Sequence, residues 1–429
     1  MKSPLRVFLL ALLCVGTNAH ATTYRVGPGG SFPNLQAVSP KLAPGDVVEV
    51  EGDAQYPGGA SFSRNGTVAA PIVIRGIKVH GKRPVIKAVP DMPGWAIVRI
   101  MASHYRFEGF RVTADGQALG TRGIYTVGDD ITVRDCVVHD CPFNGIAGSD
   151  SSGSLTLSGV EVYHCGNGEY MHQIYVGSSN SLYPHAVFRM EFCFIHDGLG
   201  GNNVKSRVTR NEIYYNWIEG AFFHEMDLIG ADPKDQKGAP KLREDSDVVG
   251  NVLLKLPSAH GYVGNLGGDG TGFSNGRYRF VNNTIVLPPG PAGNSEAFRL
   301  KNAIQSLEFH NNVFFRPQNQ FFRVISDNGL FPGTPYVKSG DNNWISGGNR
   351  PPYMTDTHLL NPGDLTNPAG YDFRPAGALL AARSVYPTRS PAKFEFPMPL
   401  QRPGFAPPMR KLGPGLPRDA SQGLSPGAF

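Results

Sequence analysis

Short apolar runs alternate with polar breaks along this chain, and the pattern recurs from residue 96 to residue 346 at spacings of roughly 20 to 35 residues, the range of a solenoid repeat. One recurring strand carries a polar residue just ahead of its last apolar pair. It reads Ile131-Thr132-Val133-Arg134-Asp135-Cys136-Val137-Val138, then Val208-Thr209-Arg210-Asn211-Glu212-Ile213, Val248-Val249-Gly250-Asn251-Val252-Leu253, Phe280-Val281-Asn282-Asn283-Thr284-Ile285 and Leu307-Glu308-Phe309-His310-Asn311-Asn312-Val313. The repeated asparagine predicts an internal ladder, with Asn211, Asn251, Asn283 and Asn312 stacked inside and each amide satisfying the adjoining turn. A second series holds Ile124, Ile146, Ile174, Val204, Met226 and Leu228. Strand side chains alternate faces, so these six point inward and their neighbours outward.

Two strand signatures in fixed order predict an all-β fold, a single-stranded right-handed parallel β-helix with an N-terminal cap and a Pro-rich C-terminal tail. A β-sandwich would not place asparagine repeatedly within an apolar strand. Residues 22–95 are expected to form the cap and first coils, with a short amphipathic helix at 35–42 and the first full strand at 45–50, because a solenoid needs a closed end. Residues 96–346 form the β-helix. Residues 347–429 read as an irregular tail that wraps the barrel or stays loose.

Composition agrees: 53 Gly and 36 Pro suit many short strands and turns. A formal charge of only +5 makes no case for a nucleic-acid partner. Lys2 and Arg6, the apolar run 7–15 and Ala19-His20-Ala21 predict a signal peptide over residues 1–21. That run is far short of the roughly 20 residues that cross a bilayer. The expectation is a secreted or periplasmic monomer with no membrane span. Of the cysteines beyond residue 21, Cys141 and Cys165 close equivalent turns and are candidates for a disulfide, while Cys136 and Cys193 read as small core hydrophobes.

Stacked parallel strands bring equivalent outward residues within about 5 Å of one another. On the second series that ladder reads Tyr125, Ala147, Gln173 with Tyr175, Asn203 with Lys205, Glu225 with Asp227, His260 with Tyr262, and Arg299 with Lys301. Lys205 is the candidate base, provided that its amine loses a proton; the plain alternative is an exposed lysine balancing Glu225 and Asp227. Those two carboxylates would equally serve as acid and base of a hydrolase. His172 flanks the strip. His139, His164 and His196 recur one coil apart, more consistent with turn packing than with metal binding. The insertion at 231–246 carries Lys234, Lys237, Lys241 and Arg243, a basic wall suited to a polyanionic chain. Residues 267–272 are glycine-rich but lack the helix or lysine of a phosphate loop, and read as a plain loop.

Asn203-Val204-Lys205-Ser206, followed by Asn211-Glu212-Ile213-Tyr214-Tyr215-Asn216, resembles the segment around the catalytic lysine of the alginate lyase and chondroitinase B family of parallel β-helix polysaccharide lyases. The match spans about fifteen residues, whereas the coil pattern spans most of the chain. The resemblance implies Lys205 as base, an assisting arginine, and carboxylates that hold calcium, here Glu225 and Asp227. Where the family has Arg-His-Gly one coil later, this chain has Phe223-His224-Glu225-Met226-Asp227, so either its arginine comes from elsewhere, with Arg207 and Arg299 as candidates, or the chemistry differs. A wider likeness to secreted bacterial β-helix proteins, through residues 172–177, supplies no activity. The expected partner is an extracellular or cell-envelope polysaccharide. Tyr175, His260 and Arg299 join Lys205 as candidate catalytic residues, and His172, Gln173, Asn203, Arg207, Tyr262 and Lys301 as substrate-binding ones. A glycoside hydrolase, a uronate epimerase and a non-catalytic carbohydrate-binding solenoid remain alternatives on the same fold.

Overall fold

The computed structural model describes residues 21–92, 94–115, 120–231, 243–258, 262–269, 274–290, 296–301, 304–326, 337–348, 350–386, 399–419, 421 and 423–429. Residues 1–20, with nearly all of the expected signal peptide, lie outside the described residues, as do His260, Lys234, Lys237 and Lys241.

Each coil contributes one short strand to each of three parallel sheets, called A, B and C in chain order. One turn of the helix runs through Ile131–Arg134 in sheet A, Val137–His139 in sheet B and Ile146–Gly148 in sheet C. The described strands number 13, 12 and 10 in these sheets, and in each sheet a strand pairs with its counterpart from the next coil, which is the topology of a right-handed parallel β-helix. On the inner side of sheet C the apolar Ile124, Ile146, Ile174, Val204, Met226 and Leu228 are fully buried, as alternation requires.

A single left-handed residue makes the corner between sheets A and B. It is Asp135, Gly159, Phe192, Tyr215, Gly250, Asn282, Asn311 and Asn342 in successive coils, with φ between 49° and 67°. The next residue points inward, which gives the column Cys136, Val160, Cys193, Asn216, Asn251, Asn283, Asn312 and Asn343, all fully buried. The Asn216 oxygen accepts the Cys193 N–H at 2.9 Å, and from Asn251 onward each side-chain oxygen accepts the backbone N–H and side-chain NH2 of the asparagine one coil earlier, at 2.9 to 3.1 Å. Asn211 is not a member of this ladder. It sits five residues earlier, mid-strand in Arg210–Tyr214, buried against Ser206, Glu244 and Ser246. Asn216 holds the position expected for it.

A helix at Leu35–Val38 and a 3-10 turn at Ser39–Lys41 close the first coil, with Leu35 and Val38 buried. At the other end the tail does wrap the barrel. Leu360, Leu365, Phe373, Leu379 and Ala428 cover the outward apolar residues Trp217, Val252, Val286 and Val313 of sheet B. Arg410 pins the tail to Glu219 at 2.7 Å. Nearer the cap, sheet B carries a polar outer column in which His139, Tyr163 and His196 stack at 4.9 and 5.1 Å. The four described cysteines are free thiols; Cys141 and Cys165 are neighbours in hydrogen-bond contact, not a disulfide. Among the described residues, no helix is long and apolar enough to cross a membrane.

Candidate functional site

The described tail residues pack on sheets A and B, and sheet C carries the candidate residues. Its register puts Tyr125, Ala147, Tyr175, Lys205, Asp227, Asn265 and Arg299 in one outward column. The neighbour of Asp227 in that column is Asn265; Tyr262 pairs instead with Glu296. Arg299 lies three rungs from Lys205, roughly 14 Å at the usual strand spacing, and Lys301 follows the end of the strand Glu296–Leu300.

Gln173, Asn203 and Glu225 were expected on this outer face and lie inside it. The chain turns sharply as it enters sheet C, so the residue just before each strand sits in the corner and its side chain points into the barrel. There the three form a fully buried polar ladder. Gln173 donates to Asn203 at 2.8 Å, Asn203 donates to Glu225 at 2.6 Å, and the Ala221 N–H reaches Glu225 at 3.1 Å. Lys255, also fully buried, stands 3.8 Å from Glu225 and donates to the carbonyls of Ala221 and Phe223. Burial raises the Glu225 pKa to about 7 against the opposing pull of Lys255. Glu225 and Asp227 therefore face opposite sides of the wall, and this pair does not fit a shared calcium. Among the described residues, no group of three or more His, Cys, Asp or Glu side chains could hold a metal ion.

Because the corner residue turns in, the residue before it turns out. This second outward column contains His172, Asn202, His224 and Tyr262, of which Asn202 and His224 carry no motif that marks them in the sequence. Asn202 donates to Asp227 at 2.9 Å and its N–H donates to His172 Nδ1 at 2.9 Å. The ring proton of His172 is consequently on Nε2. Burial, with Lys205 and Arg207 nearby, pushes the His172 pKa down to about 3, so the ring is neutral near pH 7. His224 stacks on Tyr262 at 4.7 Å, and the Arg299 guanidinium lies 4.1 Å from the same ring.

Lys205 is the centre of the arrangement. Its ammonium lies 3.5 Å from Asp227, 3.2 Å from Asp269 and 5.7 Å from the Tyr175 ring centroid. Arg207, two residues on and so on the same face, donates from Nε to the Tyr175 hydroxyl at 3.1 Å and pairs with Asp269. Its Nη1 is fixed by the Gly230 carbonyl at 2.7 Å. Asp227 is only 3 % exposed, its Oδ1 has no hydrogen-bond partner, and burial raises its pKa although Lys205 opposes the shift. Asp269, in the glycine-rich stretch read as a plain loop, is thus part of the cluster. The only sequence signal for it was a lone acid on a long insertion facing the strip. Of the expected basic wall, Arg243 is described, and it pairs with Asp245 at 3.0 Å.

No protein-family model matches the chain, and no curated protein matches it in sequence. Solved structures resemble it in fold. A pectate lyase shares 14 % identity at a TM-score of 0.48, over 82 % of this chain and 84 % of its own. An alginate lyase from Paenibacillus sp. strain FPU-7 shares 15 % identity at a TM-score of 0.42, over 79 % of this chain and 99 % of its own. A tailspike capsular polysaccharide depolymerase of an Acinetobacter baumannii bacteriophage shares 12 % identity at a TM-score of 0.37, over 79 % and 55 %.

Proposed function

We propose that this chain is an exported enzyme that cleaves an acidic, uronate-containing polysaccharide by β-elimination on the outer face of sheet C. The observation that carries the reading is the convergence of Lys205, Arg207 and Tyr175 on one rigid patch. Arg207 already donates to the Tyr175 oxygen, so the phenolic proton is left to be given elsewhere. A substrate carboxylate bound by Arg207 would take the place of Asp269 there, and bidentate pairing would delocalise the charge that builds on it. Lys205, as the free amine, removes the proton on the carbon α to that carboxylate. The electron pair forms the new C=C bond, the glycosidic C–O bond at the β carbon breaks, and the leaving oxygen takes the Tyr175 proton. His172 and Asn202 hold Asp227 and the neighbouring backbone in place.

A second reading has one observation in its favour. Asp227, with its raised pKa, and Asp269 lie within reach of a single ammonium, an acid and a base for hydrolysis. Incubating the protein with a panel of uronate and neutral polysaccharides separates the two. Elimination yields an unsaturated uronate that absorbs near the ultraviolet edge; new reducing ends without that absorbance mean hydrolysis, and neither product overturns both. Export is tested by the N-terminus of the mature protein, expected at Thr22.

A further inference from the structure

Toward the cap, three rungs from Lys205 in the Tyr125–Ala147–Tyr175–Lys205 column and roughly 14 Å away, the same face carries a second feature. The Arg122 guanidinium is clamped between two rings, 4.5 Å from the Trp95 centroid and 3.8 Å from that of Phe143. Trp95 meets Tyr125 edge-on at 4.2 Å and is 42 % exposed. Among the described residues no carboxylate lies within ion-pair distance of Arg122. A guanidinium held in this way has given up its rotamer freedom, yet the residue stays partly exposed, which is the state of a side chain ordered in advance for an oxyanion. Between this point and Tyr175 the column carries only the small, buried Ala147, which adds no bulk of its own to the face.

We propose that Arg122 and Trp95 form a distal subsite for a second anionic sugar unit of the same polymer, Arg122 pairing with its oxyanion and the Trp95 ring packing on the sugar's apolar face. The assignment rests on the polysaccharide reading above and adds a length and charge requirement to it. A short uronate oligosaccharide reaches only the Lys205 patch; a long one spans both.

The test is calorimetric affinity and tryptophan fluorescence, measured on the wild-type and Lys205→Ala proteins with a uronate disaccharide, a uronate octasaccharide and the carboxyl-reduced octasaccharide. Trp217 and Trp344 are 0 % and 7 % exposed, so a fluorescence change on binding reports Trp95. The octasaccharide is expected to bind more tightly than the disaccharide and alone to shift the fluorescence. Arg122→Gln should cost it roughly tenfold or more, the scale of a hydrogen bond to a charged group, leaving disaccharide affinity and thermal midpoint unchanged. Arg122→Lys should restore only part, since it lacks the planar fork. A length advantage that survives Arg122→Gln overturns the subsite and leaves the proposed function standing, whereas a reduced octasaccharide bound as tightly as the charged one overturns both, since each patch is assigned a carboxylate. If neither protein binds any uronate chain, both fall.

Discussion

Replacing Asn251 by leucine tests the ladder that sets the coil register. The Asn251 side chain accepts the N–H of Asn216 at 2.9 Å, and its NH2 donates to the carbonyls of Ile213 at 2.8 Å and Val249 at 3.2 Å and to Asn283 at 3.0 Å. The Val249 carbonyl keeps a bond from the Tyr215 N–H, whereas the Asn216 N–H loses its acceptor and the Ile213 carbonyl loses a donor. Each buried polar group left unpaired costs about 1 to 3 kcal/mol. Burying the leucine side chain returns about 2 kcal/mol of that. The expected net loss is about 2 kcal/mol, read in urea as a lower midpoint at unchanged slope. A variant as stable as the wild type would refute the claim that these amides, rather than apolar packing alone, hold the turns.

Tyr175→Phe should lower turnover of the cleaved polymer by about 10² to 10⁴-fold with a smaller change in KM, because the phenol is needed only when the leaving oxygen takes its proton; equal loss in binding would make Tyr175 a mere platform. Glu225 binds its proton more tightly in the fold than unfolded, so its contribution to stability is present below the ordinary carboxylate range and is lost as pH rises through about 7. Glu225→Gln should therefore flatten the fall in stability between pH 5 and pH 8, and an unchanged slope would assign that fall to other groups. Intact mass of the mature protein should be the same with and without reductant, since Cys141 and Cys165 are thiols; a difference of two hydrogens would show a disulfide.

The coil pattern was legible because period-two alternation survives in strands such as Val47–Glu51, Leu155–Ser158 and Val187–Glu191, and the inward isoleucines and valines follow from it directly. Corners were harder to read. Asn211 stands one residue before Ile213-Tyr214 with Glu212 between, Asn216 stands directly before Trp217-Ile218, and the left-handed residue at position 215 shows that Asn216 occupies the turn. The same difficulty moved Gln173, Asn203 and Glu225 from the outside to the inside, since alternation holds within a strand but fails in the residue that enters it. Lys205, Tyr175 and Arg207 were recognisable because they lie in or directly after a strand. Asp269 was not, because its approach to Lys205 is a contact across 64 residues made by a loop, which no local pattern encodes.

The central claim is elimination by Lys205, and it is tested by following ultraviolet absorbance of the unsaturated product with wild-type and Lys205→Ala proteins on the same uronate polysaccharide. The account predicts steady formation of product by the wild type, a loss of about 10² to 10⁴-fold in Lys205→Ala, and retained binding in both. Undiminished product from Lys205→Ala, or reducing ends formed by the wild type without the absorbance, would contradict it.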